Sequence, residues 1–282
     1  MSNQENFADS TFMPFFYKRF NHLISQDKID SAAQIVFLTG KNFYKNAIYD
    51  SAFVRVSINF LNKYSSKISS RYISGIYSNI GNSYCDIGQY DSSIFYLNKG
   101  IIPSKDYYTH QNVAQLNYYL LFCYLSNGKL EQSLNSAFKA LEMFENQKDS
   151  AFQAATYSGI ACIYRYQDDY SEAEKYENKG FKIVKMTRDT NALMTICLNK
   201  ITLYNQMEHP NLYPFIDSTV KIFRKWSKKT ENDILSVDSW YAFKLVHDSK
   251  LPEAKKIIDK LRPLALKIVN RATTDYYYNA VA

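Results

Sequence analysis

A chain of 282 residues is long enough to bury a sizeable core, and its 46% hydrophobic content is ordinary except that 25 Tyr and 18 Phe must carry much of the packing. With only 8 Gly and 6 Pro there are too few tight turns for a β-sandwich or barrel, so long helices are expected. The net charge of +7 is modest, no run of about 18 apolar residues could cross a membrane, and Met1 to Asn6 does not open a signal peptide.

In chain order, a helix is expected near residues 11–25, followed by helix pairs near 28–66, 70–105, 108–147, 149–188, 190–229 and 232–270. A last segment, Thr273 to Ala282, begins a further apolar-aromatic helix and stops, so the chain is expected to be cut from something longer. The pairs rest on an internal repeat. Its clearest copy holds Tyr77, Gly81, Tyr84, Gly88, Tyr90, Ser93 and Gly100. Small residues at Gly81, Ser93 and Gly100 let two antiparallel helices approach, while Tyr77, Tyr84 and Tyr90 fill the space around them.

The same slots recur around Tyr124 (Gly128, Ser133, Ala137, Ala140) and around Tyr164 (Tyr157, Ala161, Asp168, Tyr170, Ala173, Gly180). Each copy lies 40 residues after the last, and the register extends to Tyr204 and back to Tyr44. Weaker copies flank these, at Tyr49 and Ala52 and again at Leu251, Ala254, Ile258 and Leu261. Around Tyr204 the Gly turn is missing and His209-Pro210 stands where the hairpin reverses, which predicts a wider connection with Pro210 at a helix start.

This pattern resembles the tetratricopeptide repeat: aromatic, apolar-Gly, Tyr, Gly-x-Tyr, small residue, aromatic, small residue. The resemblance spans residues 28 to 270. It implies an all-α fold, a right-handed superhelical α-solenoid of about six helix pairs, preceded by an N-terminal segment and capping helix over 1–27 and followed by the start of a further helix over 271–282. The family unit is about 34 residues, so the 40-residue unit here is expected to have longer second helices and turns. A HEAT-like solenoid is the structural alternative, since its repeat length also fits.

In tetratricopeptide proteins the first helix of each pair lines a concave face. Carried over by register, the resemblance places ligand- or partner-binding residues at Asn79, Asn82, Tyr118, Tyr119, Phe122, Arg165, Tyr166, Asn199, Thr202 and Asn205. Amides can pair with an extended peptide backbone, and aromatics supply area at low entropic cost. The alternatives are that Tyr118, Tyr119 and Phe122 pack against the next repeat and that Asn79 and Asn82 bond helix backbone. The basic members of the carboxylate clamp found in some tetratricopeptide domains are absent from the corresponding slots (Ser78 with Asn82, Asn79, and Ala155 with Gly159).

Catalytic chemistry is not suggested. His22, His110, His209 and His247 are scattered and fit no metalloprotease, hydrolase or haem pattern, and no phosphate-binding glycine motif exists. Asp168 and Asp169 fall at a hairpin turn, where Asp bonds locally. Cys85, Cys123, Cys162 and Cys197 recur at nearly repeat spacing and read as free thiols at helix interfaces rather than as a bridge or zinc site. No catalytic residue, metal site or cofactor is therefore expected. The last quarter is basic, from Lys221 to Arg271, and reads as solvated helix faces, with nucleic-acid binding as a minor alternative.

Long-repeat arrays rich in Tyr and Asn resemble the sensory regions of bacterial regulators joined to a histidine kinase or helix-turn-helix output. The resemblance implies a non-catalytic, protein- or peptide-binding domain, periplasmic if trimmed from a membrane sensor and otherwise cytoplasmic. Any membrane attachment would come through a segment absent from this chain. The alternative is a structural adaptor or homodimer using the C-terminal helix around Tyr276 to Ala282.

Overall fold

The computed structural model describes residues 12–45, 50–102, 107–187, 190–226 and 229–267. Among them are thirteen α-helices, a short 3-10 turn at Ser65–Lys67 and no strand. Helix α1 (Phe12–Ser25) precedes six pairs: α2 (Ile29–Lys45) with α3 (Ser51–Tyr64), α4 (Ser70–Asp86) with α5 (Tyr90–Gly100), α6 (Tyr107–Ser126) with α7 (Leu130–Gln147), α8 (Ser150–Tyr166) with α9 (Tyr170–Thr187), α10 (Thr190–Gln206) with α11 (Leu212–Arg224), and α12 (Glu231–His247) with α13 (Leu251–Lys267). The all-α array of tetratricopeptide-like pairs inferred from the repeat is thus the fold. The further helix expected from Thr273 and the side chain of Tyr44 lie outside the described residues.

From the α4–α5 pair onward, the turn within each pair is built from backbone bonds. Gly88 (φ 75°) and Gly128 (φ 71°) adopt the left-handed conformation, and so do Asp168 (58°), Glu208 (50°) and Ser249 (59°) in the equivalent slot. In every case the left-handed residue donates its N–H to the carbonyl three residues back, and the next residue donates to the carbonyl five back. Examples are Gly88 to Cys85 with Gln89 to Tyr84, and Glu208 to Asn205 with His209 to Tyr204. This pair of hydrogen bonds satisfies carbonyls left orphaned at a helix end. The turn after Tyr204 therefore keeps the common geometry although its sequence lacks glycine. Its connection is indeed wider, but α11 starts at Leu212, two residues beyond Pro210.

Side-chain caps fix several helix starts. The Asp50 carboxylate accepts from the Phe53 N–H at 2.9 Å, and Thr230 and Asp233 form a reciprocal capping box on α12. Asp169 accepts from the Glu172 N–H at 3.1 Å, so one member of the Asp168-Asp169 pair caps α9 while the other occupies the left-handed turn.

By its internal contacts the chain divides within α8 into two compact units, Met1–Gly159 and Ile160–Ala282. In the first, Phe16, Phe43 and Phe53 pack edge to face at 5.0 to 5.4 Å, and Leu97, Leu116, Leu120 and Cys123 form a further core. Each such buried side chain contributes roughly 1.5–3 kcal/mol. The small-residue slots work as expected: a Cβ on Gly81 would meet Leu97 Cγ at 2.5 Å, and one on Gly100 would meet Leu116 Cδ1 at 2.9 Å. In the second unit, Ile201, Tyr204, Ile216, Phe223, Val237 and Trp240 make the main core, and Leu235, Leu261 and Ala265 tie α13 to α12. The repeat is visible in ring geometry too. Tyr84 stacks on Tyr96 at 5.4 Å and 6°, and 80 positions later Tyr164 stacks on Tyr176 at 5.5 Å and 10°.

Candidate functional site

A cavity of about 620 Å³ opens in the first unit, lined by the first helices α2, α4, α6 and the start of α8. Its lining follows helical spacing. Gln34, Phe37, Leu38 and Lys41 share one face of α2, while Arg71, Gly75, Ser78, Asn79 and Asn82 share one face of α4. Gln111, Gln115 and Tyr119 follow one another at four-residue intervals along α6, beside Asn112. Tyr72 and Phe152 complete the walls.

Two close approaches shape this surface. The Phe37 ring lies where a Cβ on Gly75 would be, at 2.5 Å, and Asn79 lies where a Cβ on Gly40 would be, at 2.6 Å. Glycine at 40 and 75 thus lets α2 and α4 come together closely enough for side chain to reach backbone. The Asn79 amide donates to the Phe37 carbonyl at 2.9 Å. Asn112 repeats the device one pair later, donating to the Arg71 carbonyl at 2.7 Å. Such a bond contributes about 1 kcal/mol net.

The charge of the cavity is one-sided. Lys41 and Arg71 line it, and none of its lining residues is Asp or Glu. The Arg71 guanidinium sits 4.6 Å from the Tyr72 ring centre and donates to the Tyr72 hydroxyl at 3.0 Å, which holds it in place. The remaining polar lining is mostly amide: Gln34, Asn79, Asn82, Gln111, Asn112 and Gln115. A wall of amides, two cations and aromatic rings can hydrogen-bond a chain of peptide groups and attract an anionic one.

Of the residues expected to bind, Asn79, Asn82 and Tyr119 come together in this cavity. Tyr118 and Phe122 instead join an aromatic cluster: Tyr118 meets Phe122 at 5.1 Å, Phe152 at 5.5 Å and Phe144 at 6.5 Å. Burial, then the neighbouring Tyr119, pushes the Tyr118 phenol well above its ordinary value. The lining residues that the repeat slots missed, Gln34, Lys41, Arg71, Gln111, Asn112 and Gln115, lie towards the other end of the first helices or on α2. Their four-residue spacing with Tyr119 and Asn79 was the signal available.

The other expected positions lie in the second unit. Tyr166 is 64% exposed and Asn205 is exposed, whereas Asn199 and Thr202 are half-buried. The Thr202 hydroxyl donates to the Leu198 carbonyl at 3.0 Å, and the Arg165 guanidinium reaches the Cys162 sulfur at 3.4 Å. Beside them Lys200 is buried, bonded to Asn178, with its ammonium 5.2 to 5.4 Å from the centres of the Phe181, Tyr204 and Phe215 rings. Burial lowers its pKa and the Glu174 and Glu177 carboxylates oppose that shift, so this lysine is a packed ion within the core.

Among the described residues no group of three or more His, Cys, Asp or Glu could hold a metal, and no helix is long and apolar enough to cross a membrane. His22 and His110 are exposed, and the other two histidines stack on rings beside turns, His209 on Tyr204 and His247 on Tyr213. The basic side chains described in the last quarter, such as Lys221, Lys225, Lys255 and Lys256, are exposed.

A tetratricopeptide repeat family model matches residues 112–186. No curated protein matches the chain. Among solved structures, the apo form of RapI is similar at TM-score 0.67 and 12% identity, over 83% of this chain and 84% of that one. Aspartyl phosphate phosphatase F from Bacillus subtilis is similar at TM-score 0.62 and 16% identity, over 91% of this chain and 65% of that one. NprR in complex with its cognate peptide NprX is similar at TM-score 0.60 and 16% identity, over 94% and 77%. At these identities the likeness is one of fold. The sequence likeness to the tetratricopeptide repeat is over residues 112–186, and the likeness to solved structures is that of a tetratricopeptide-like helical fold.

Proposed function

We propose that the cavity between α2, α4 and α6 binds an extended, acidic peptide segment, and that the chain is a non-catalytic sensory or interaction region of a bacterial regulatory protein. The observation that carries this reading is the lining itself: six amides, Lys41 and Arg71, with no carboxylate among them. Peptide groups need paired donors and acceptors, which amides supply, and a cavity with two cations and no acid favours a ligand that carries carboxylates. The fold is one used for protein and peptide interaction, and NprR, a structure of similar fold, is described with a cognate peptide bound. The absence of catalysis is supported by the placement of the acids and histidines. Asp168 and Asp169 serve the turn and cap, and His209 and His247 stack on tyrosines beside turns.

The experiment is fluorescence anisotropy with labelled extended peptides of one length, differing only in acidic, neutral or basic side chains. The acidic peptide should bind best, and its affinity should fall with added salt. Arg71→Gln with Lys41→Gln should erase the preference, and Tyr119→Ala with Asn82→Ala should weaken binding about tenfold or more. Equal affinity for all three peptides, or unchanged affinity after the Tyr119 and Asn82 substitutions, would overturn the assignment.

A further inference from the structure

Cys85 closes the end of α4 and Cys123 lies inside α6, the two helices that form the middle walls of the cavity. Their sulfurs are 3.1 Å apart, and the Ser93 hydroxyl of α5 lies 3.0 Å from the Cys123 sulfur. Cys123 is fully buried, whereas Cys85 is half-exposed. The other two thiols, Cys162 and Cys197, sit on α8 and α10. Both members of the close pair pack in the same small core as Tyr119, which also lines the cavity.

We propose that Cys85 and Cys123 are a dithiol site for two-electron oxidants such as hydrogen peroxide, and that the disulfide they form staples α4 to α6 and rigidifies the cavity. Two sulfurs this close need to approach by only about 1 Å to reach bonding distance. The exposed member meets the oxidant and the buried member resolves it, the arrangement expected of an oxidisable pair. The hydrogen bond between the sulfurs holds the Cys123 thiol below its ordinary value, so the pair releases a first proton more readily than an isolated buried thiol. The same hydrogen bond, with burial, pushes the Cys85 thiol well above its ordinary value, so the first thiolate sits on Cys123 and serves as the base that takes the Cys85 proton across the gap.

The chemistry balances in two steps. As its proton passes to the Cys123 thiolate, the Cys85 sulfur attacks one peroxide oxygen; the S–O bond forms, the O–O bond breaks, and the departing hydroxide takes the first proton the pair released to leave as water. The Cys123 sulfur then attacks the Cys85 sulfur of the resulting sulfenic acid. The S–S bond forms, the S–O bond breaks, and the second hydroxide takes the Cys123 proton as water. Two thiols thereby lose two protons and two electrons, and one peroxide becomes two waters.

This inference is independent of the peptide-binding reading, and its test needs no ligand. The intact chain is titrated with hydrogen peroxide, remaining thiols are alkylated, and the protein is digested and mapped by mass spectrometry. The expected product is a cross-linked pair of peptides carrying Cys85 and Cys123, with Cys162 and Cys197 still alkylated. In Cys85→Ala, Cys123 should resist peroxide, and circular dichroism checks that the variant is folded. Hydrogen exchange of the wild-type chain should slow about tenfold or more in α4 and α6 after oxidation and recover with dithiothreitol. Oxidation of Cys85 to sulfinic or sulfonic acid without the cross-link would overturn the site. A cross-link with unchanged exchange in α4 and α6 would overturn the staple.

Discussion

The side-chain amide of Asn79 donates to the carbonyl of Phe37, 42 residues earlier and one helix pair away. The bond forms because nothing projects from Gly40: a Cβ there would lie 2.6 Å from the Asn79 amide nitrogen and 2.9 Å from its Cβ and Cγ.

Gly40→Ala should therefore destabilise the chain by about 1–3 kcal/mol through overpacking. In an Asn79→Ala background the same change should cost less, since two of the three close atoms are gone. Urea denaturation of the four proteins of this cycle measures the coupling. Strictly additive effects would mean that the two residues do not share the space.

The intra-pair turns make a second prediction. Glu208 and Ser249 hold left-handed backbone that glycine adopts without strain, as Gly88 and Gly128 do in the same slot. Glu208→Gly and Ser249→Gly should each stabilise the chain, or at worst be neutral, by up to about 1 kcal/mol, and Gly88→Ala should destabilise it by a similar amount. Space is not the issue at Gly88, where an added Cβ would meet nothing within 4 Å. A measured loss in Glu208→Gly would show that the glutamate side chain contributes more than its backbone strain costs.

The third prediction concerns alkaline pH. Burial and then the Glu174 carboxylate, which accepts from the Tyr204 hydroxyl at 3.2 Å, push the Tyr204 phenol up to about 12. In the unfolded chain the phenol ionises near 10.0. The unfolded state therefore gives up its proton first. The contribution of Tyr204 to stability is fully present below pH 10 and is lost as pH rises towards 12. Lys200, whose pKa is lowered by burial against the opposing pull of Glu174 and Glu177, has the opposite slope and gains stability as pH approaches 10.5. Denaturation midpoints measured from pH 8 to 11.5 should fall less steeply above pH 10 in Tyr204→Phe than in the wild-type chain. Parallel curves would exclude Tyr204 as a source of the alkaline loss.

The repeat was readable because its slots are steric. Gly81, Ser93 and Gly100 are small where helices touch, and Tyr84 and Tyr164 recur because each stacks on a tyrosine of the second helix. Once those positions were placed, the six pairs followed with boundaries displaced by a few residues. The turn at Glu208 was not readable in the same way, since its shape comes from two backbone hydrogen bonds that leave no trace in residue type. The cavity was partly readable. Asn79, Asn82 and Tyr119 fell within transferred slots, but Lys41 and Arg71 lie on α2 and the first turn of α4, where the family pattern assigns nothing. Tyr118, adjacent to Tyr119 in sequence, turns away because Phe144 and Phe152 offer it an aromatic pocket that periodicity alone does not reveal. The cysteine spacing showed a shared place in the repeat, not that two of the sulfurs face each other.

The bonds from Asn79 to Phe37 and from Asn112 to Arg71 use one N–H of each amide and leave the carbonyl oxygens out of the interaction. Folding has thus already fixed the rotamers of two side chains on the cavity wall. A chain entering the cavity would find these groups aimed in advance and would not have to freeze them, a saving of roughly 0.5–1.5 kcal/mol for each side chain that would otherwise be immobilised. Under the proposed function, the inter-pair bonds that hold the helices together would therefore also make the wall a template rather than a soft lining.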